Sequence, residues 1–277
     1  MKLLSFEQEF VRRHNNRPQI LRFMREAIGT DEVQYSDLTL TNLERVRDLM
    51  LERLAQNSAQ VYCAIIKSFL NIISEEVELP TLRFAKALKV KTVPSQHCCL
   101  TEEELIKFDE YVPKNQNELD VKILFMRAAY TGARSSDCKV MSENNIHDNT
   151  LSYVSKKTKT LVSQPIHIRL QKYISMNPSR IIDPSNVNRI IQRICKKLGF
   201  VEETTLFVNG RLQTKPKNEF ITIHSARRSY CTALAERGVP VSVITKLAGH
   251  KSEIMTSRYI CIDTKKLGNE AMGFFND

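Results

Sequence analysis

Four residues in the C-terminal part of the chain have side chains suited to chemistry and stand at short intervals. His224 and Arg227, in ITIHSARRSY, are three apart and share a face of any helix that carries them. Gly249-His250 follows in LAGHKSEIMTSRYI, and Tyr259 comes nine residues after His250. A tyrosine hydroxyl is a covalent nucleophile once activated, and a guanidinium is a permanent cation whose fork fits phosphate oxygens. Singly, each residue also has an ordinary reading: a ring packed on its helix, a polar turn residue, a surface His–Arg pair. Other catalytic signatures are missing. No GxGxxG, HExxH or GxSxG occurs, and although Gly268 and Gly273 have P-loop spacing, Phe274-Phe275 stand where Lys-Ser/Thr is required. His97-Cys98-Cys99 lacks the second half-site of a zinc centre and reads as linker.

The order of these blocks resembles the tyrosine recombinases, also called phage-type integrases. Their C-terminal signature, H-x-x-R, then G-H, then a tyrosine, reads here as His224-Ser-Ala-Arg227, Gly249-His250 and Arg258-Tyr259. A T-G-x-R-x-S-[DE] turn upstream is matched by TGARSSD at 131–137, which contributes Arg134 and places Asp137 where it orients the Arg134 turn. The family also carries a lysine on a β-hairpin between the two arginines, in a K-T sequence. Two candidates exist, Lys157-Thr158 and Lys159-Thr160. Lys157 is preferred because it leaves a turn before the VSQPIHI strand; Lys159 stays open, as does a solvated hairpin that touches DNA without taking part in chemistry. The resemblance covers 101–259 by motif and the N-terminal helices by layout. It implies a catalytic set of Arg134, Lys157, His224, Arg227, His250 and Tyr259, with no cofactor and no metal.

That set suits transfer of a phosphodiester to the Tyr259 hydroxyl. The attack builds negative charge on the non-bridging oxygens, and preorganised cations stabilise it. Arg134 and Arg227 contact phosphate in a bidentate way, and His250 is expected to donate a third hydrogen bond. Neighbouring cations favour the tyrosine phenolate, whose ordinary pKa is about 10. His224 is placed to accept or return a proton, and the family's lysine, here Lys157, would protonate the departing 5′ oxygen. A 3′-phosphotyrosyl link conserves the phosphoester free energy, so rejoining needs no ATP. For Arg228 and Arg258, phosphate contact or solvent exposure is expected rather than catalysis.

These side chains need helices to hold them. From 5 to about 78, SFEQEFVRRH, PQILRFMREAIG, LTNLERVRDLMLERLAQ and AQVYCAIIKSFLNIISEE carry apolar residues at helical spacing. Periodicity then lapses from Pro80 to Leu100, which predicts a helical core-DNA-binding domain of SAM-like type at 1–88, a linker at 89–100 and a catalytic domain at 101–277. Thr101-Glu-Glu-Glu104 is a capping box, and a strongly apolar helix over about 119–130 should be core, breaking at Gly132. Between 145 and 168, TLSYVS and SQPIHI flank polar KKTKT, as in a small antiparallel sheet. Helices resume at VNRIIQRICKKLG, and after a polar loop, VNGRLQTKPKNE, at SARRSYCTALAERG and PVSVITKLAG. The last two have a helix-turn-helix layout around Gly238. The expected fold class is therefore mainly α with a small antiparallel sheet, the DNA breaking-rejoining fold by resemblance.

Bulk properties agree with a polyanionic partner. The 277 residues hold 41 Lys and Arg against 31 Asp and Glu, a formal net charge of +10 spread without one long basic tract. Seven cysteines without a CxxC pair argue for a reducing, cytoplasmic setting, and no apolar stretch is long enough to span a membrane. The resemblance implies double-stranded DNA as partner, a two-domain layout of the simpler Xer or Cre type without room for an arm-binding domain, and four protomers on synapsed sites. The tail after Tyr259 has apolar Leu267, Ala271, Met272, Phe274 and Phe275, expected to pack on a neighbouring protomer or on its own domain. The rivals are a type IB topoisomerase-like enzyme and a helix-turn-helix DNA-binding regulator; a binder alone would not need Tyr259.

Overall fold

The computed structural model describes residues 4–14, 17–178 and 182–261. The chain divides into two compact units, Met1–Ser95 with Phe207–Arg211, and Gln96–Leu206 with Leu212–Asp277. The division at Ser95 falls inside the 89–100 segment that lacks helical periodicity.

In the first unit, α1 (Phe6–His14), α2 (Pro18–Ile28), α3 (Leu40–Arg53) and α4 (Gln56–Ile73) coincide with the four periodic segments. Pro18 opens α2, and Gly29 closes it with φ 81°, a left-handed stop that suits glycine. Their apolar stripes meet in one core built around Phe6, Phe10, Met24, Leu43, Ile66 and Phe69. A short α5 (Phe84–Ala87) adds Phe84 and Ala87 to the same core, so the stretch after Pro80 is less featureless than its sequence. Glu7 and Glu9 are the buried charged residues of α1, and Glu7 shows how such a group is met. It is buried against Arg25 and accepts from the Val33 amide, and the Arg25 bond holds its carboxyl below the usual range.

The second unit begins with α6 (Glu102–Glu110), capped by Thr101 and Glu104 in the reciprocal manner the sequence predicts. Next comes α7 (Gln116–Thr131), which is buried on nearly every side and forms the axis of the core with Phe108, Leu151, Val162, Ile191 and Ile194 around it. A fully buried arginine sits inside this helix. Arg127 donates to the carbonyls of Tyr173 (2.9 Å), Cys138 (2.7 Å), Ile174 (3.2 Å) and Met176 (2.5 Å), so its charge is met by four oriented dipoles. The short α8 (Ser135–Cys138) leads into a three-stranded antiparallel sheet of β1 (Ile146–His147), β2 (Thr150–Val154) and β3 (Leu161–Pro165), in the order β1-β2-β3.

Beyond the sheet come α9 (Gln171–Ser175) and α10 (Pro184–Lys197), the latter with Asp183 as its cap. The expected polar loop is instead a two-stranded ladder, β4 (Glu203–Val208) and β5 (Arg211–Pro216). Asn209 and Gly210 join the strands with φ 53° and 82°, the two left-handed residues of a tight hairpin turn. After α11 (Lys217–Phe220) the chain ends its described part in α12 (Ile223–Glu236), α13 (Val241–Ala248) and α14 (Glu253–Ser257). Gly238 between α12 and α13 has φ 75°, consistent with the helix-turn-helix layout. No described helix is long and apolar enough to cross a membrane. The apolar tail residues Leu267 to Phe275 lie outside the described residues.

Candidate active site

Two glycines set the geometry. Gly132 ends α7 with φ 64°, and a Cβ there would fall 2.4 Å from Tyr230 Cδ1, so the turn presses directly on α12. Arg134, two residues on, is thereby carried to the start of α8. Gly249 ends α13, also with φ 64°, and its missing Cβ would lie 2.7 Å from Val162 Cγ2 on β3. The turn that carries His250 thus abuts the hairpin that carries the lysines.

Arg134 is half-buried and donates through Nη1 to Ser155 Oγ at 3.0 Å and, at 3.5 Å, to the Gly249 carbonyl. Ser155 in turn donates to Asp137 Oδ2 at 2.9 Å, while Asp137 Oδ1 accepts from the Lys156 amide at 3.0 Å. Asp137 meets Arg134 through the backbone, its amide donating to the Arg134 carbonyl at 2.8 Å, while its carboxylate reaches the Arg134 side chain only by way of Ser155. It holds the mouth of the hairpin, and Ser155 joins it to Arg134. Ser155 is buried and was not singled out in the sequence, because a serine between a strand and a turn has no distinguishing spacing.

Arg227 lies on α12, 1 % exposed. Its Nε donates to His250 Nε2 at 3.1 Å, but Nη1 and Nη2 are buried with no partner among the described residues. Burial first, and then the neighbouring Arg134 charge, push its pKa down from the usual guanidinium value. Leaving two guanidinium N–H groups dry costs several kcal/mol on the scale of about 1–3 kcal/mol per unmade bond, more for a charged group. The pair of arginines is therefore suited to receiving an anion.

His250 is buried, and both its ring nitrogens are engaged. Because Arg227 Nε–H donates to Nε2, the ring proton sits on Nδ1, 2.9 Å from Thr256 Oγ1. Thr256 lies 2.6 Å from Thr245 Oγ1, which donates to the Val241 carbonyl at 2.7 Å. Burial, then Arg227, Arg134 and Arg228, depress the His250 pKa to about 3. The neutral ring positions Arg227 here and offers no free donor, which differs from the phosphate-donor role expected from the sequence.

Tyr259 follows α14, with its ring centroid 4.6 Å from that of His250. Its ring is flanked by Arg227, with Cζ at 5.2 Å, and by Arg228, with Cζ at 4.7 Å. Arg228 also donates to the Arg258 carbonyl. Arg228, expected to be a peripheral cation, instead fastens the tyrosine segment to α12; the contact spans thirty residues and leaves no local trace in the sequence. Arg258 itself is exposed.

His224 and Lys157 complete the expected set more loosely. His224 is exposed at the start of α12, and its pKa is lowered by loss of surrounding water and then by Arg228, Arg227, Arg134 and Lys157. Lys156, Lys157 and Lys159 are all exposed around the turn after β2. Lys157 is the hairpin lysine whose charge is felt at His224, while Lys159 is the left-handed residue of the turn, φ 56°, with its amide bonded to the Ser155 carbonyl at 2.9 Å.

Two arginines, a tyrosine and a shifted histidine are thus brought together on a mainly helical frame, an arrangement suited to binding an anion. The chain belongs to the phage integrase family, whose family model matches residues 99–266. It is 25% identical over 197 residues to the tyrosine recombinase XerA of Pyrococcus furiosus, an alignment covering 64% of this chain and 60% of that one. The match thus spans less than two thirds of that relative's length. Among solved structures, a lambda integrase dimer bound to a COC′ core site superposes with TM-score 0.69 at 17% identity, covering 92% of this chain and 95% of that one. The Tn1549 transposon integrase in complex with a circular intermediate DNA gives TM-score 0.67 at 13% identity, covering 98% and 99%. The XerH site-specific recombinase bound to a palindromic difH substrate gives 0.64 at 14%, covering 92% and 76%. What is shared at these identities is the fold.

Proposed function

We propose that this chain is a site-specific DNA recombinase that cuts and rejoins strands of double-stranded DNA through a 3′-phosphotyrosyl intermediate, acting in the cytoplasm as a tetramer on two synapsed sites. The observation that carries the reading is the pair of dry, unpartnered N–H groups of Arg227, beside Arg134 and against the ring of Tyr259. A scissile phosphate placed there satisfies both N–H groups at once, and more strongly as charge builds on its oxygens. Tyr259 is the nucleophile. His224, held neutral near pH 7 by the surrounding cations, accepts its proton. Arg134 and Arg227 hold the phosphate, His250 fixes the Arg227 fork, and Lys157 protonates the leaving 5′ oxygen. The field that Lys157 exerts at His224 favours it over Lys159 for that task.

The test is trapping on nicked suicide duplexes drawn from a randomised pool, so that no target sequence is assumed. The expected result is a covalent protein–DNA adduct that survives denaturation and disappears in Tyr259→Phe. An adduct that persists in that variant, or none from the unaltered chain, removes the assignment. Rejoining to new partner strands, rather than relaxation of a supercoiled circle, separates recombination from topoisomerase activity.

A further inference from the structure

Seven cysteines play no part in the reaction just proposed, and four of them, Cys63, Cys138, Cys195 and Cys231, are buried. Two of the remainder meet. Cys99 and Cys261 come together at one hydroxyl, that of Thr232, although 161 residues of chain separate them, and each thiol shifts the other's pKa. The meeting is held from a third point. Thr232 Oγ1 on α12 accepts from the Cys261 amide at 2.9 Å and lies 3.8 Å from Cys99 Sγ. The Arg228 charge also lowers the Cys261 pKa, and Arg228 is the residue stacked on Tyr259. Cys261 is two residues beyond that tyrosine, with its Sγ 3.8 Å from the Tyr259 carbonyl.

We propose that Cys99 and Cys261 are an oxidation site, closing to a disulfide that fastens the tyrosine-bearing segment to the start of the second unit and slows strand cleavage. The chemistry is that of a hydroperoxide oxidant. The Cys261 thiolate attacks the peroxide, taking one oxygen to become a sulfenic acid and releasing an alcohol, or water in the case of hydrogen peroxide. The Cys99 sulfur then attacks the Cys261 sulfur, forming the S–S bond and releasing water, so that two thiols have lost two electrons and two protons. Cys261 is the attacking partner because the neighbouring Cys99 thiol and then the Arg228 charge lower its pKa to about 7, whereas that of Cys99, whose S–H donates to Thr232 Oγ1 in a buried setting, is raised.

The functional consequence rests on the recombinase reading; the bond itself does not. Tyr259 must travel from its stack on Arg228 to an in-line position on a phosphate. A covalent tie two residues away removes that freedom.

The experiment treats the full-length chain with hydrogen peroxide at neutral pH and maps thiols by peptide mass. The expected product joins the peptides containing Cys99 and Cys261, forms equally well in Cys98→Ser, and is replaced in Cys99→Ser by a sulfenic acid at Cys261 that dimedone captures. Amide hydrogen exchange over 257–261 should slow at least tenfold on oxidation and recover with dithiothreitol. Adduct formation on a suicide duplex should fall at least tenfold, with no such fall in Cys99→Ser. A bond to Cys98 instead, no bond, or exchange unchanged by oxidation each overturns the proposal. Unchanged cleavage by the oxidised chain removes the switch. If the reduced chain never forms an adduct, the recombinase reading fails, and the thiol map with the exchange rates still decides the rest.

Discussion

Arg227 concentrates the tension between folding and function. A buried guanidinium with two unmet donors destabilises the free protein, and only an incoming anion offsets that cost. Arg227→Met is therefore expected to lower adduct formation by about a hundredfold or more, as loss of a preorganised charge does, while raising folding stability by about 1–4 kcal/mol. Suicide-substrate kinetics and urea denaturation measure the two sides. His250 makes a complementary prediction in pH. Above 6.5 both folded and unfolded chains carry it neutral, and stability does not respond. Below 6.5 the unfolded chain binds a proton that the folded ring, with its pKa near 3, refuses, so stability falls with pH. Between pH 6.5 and 5, after discounting for solvent near the site, the loss is about 1 kcal/mol larger than in His250→Asn, read from urea midpoints.

Single elements were read from sequence with uneven success, and the reasons are physical. The Thr101 cap of α6 and the glycine that ends α7 depend on neighbours three or four residues away, so local pattern finds them. The ladder of β4 and β5 leaves little pattern in the sequence because Thr204, Gln213 and Lys215 on one face and Thr205 and Thr214 on the other keep both polar, and only the Asn209-Gly210 turn marks it. In the site, the resemblance to the recombinase motifs, rather than spacing alone, singled out the arginines, the histidines and the tyrosine. The hydrogen-bond directions at His250, the Arg228 stack and the Ser155 bridge all follow from contacts between distant segments, which no spacing encodes. Ser155 links the turn after α7 to the hairpin after β2. Ser155→Ala leaves Asp137 with an unmet oxygen and Arg134 untethered, and is expected to cost about 1–2 kcal/mol of stability and lower adduct formation roughly tenfold. The same kinetic and denaturation measurements check it. Losses confined to stability would show that the hairpin does not set the position of Arg134.

The net charge of +10 is not drawn from one tract, and both units contribute arginines and lysines. On the proposed reading, much of the affinity for duplex DNA comes from displacing condensed counterions, which makes binding steeply dependent on salt. With several phosphates contacted, the affinity for duplex DNA of random sequence should fall at least about a hundredfold between 50 and 200 mM monovalent salt. Fluorescence anisotropy at graded salt gives the slope of log K against log salt. A slope near zero is incompatible with a long phosphate-tracking surface.

In the run from Arg227 through His250 to Thr256 the polarity is fixed, because a guanidinium can only donate, and the Thr256 hydrogen then goes to Thr245 Oγ1 or to the Ser252 carbonyl. Every hydrogen along it points inward and is already committed. The centre thus separates into a dry half that supplies charge and an open half, His224 and Lys157, that exchanges protons with bulk water. Heavy water would leave the dry half's contribution to the rate nearly untouched, and any isotope effect would belong to the two exposed side chains.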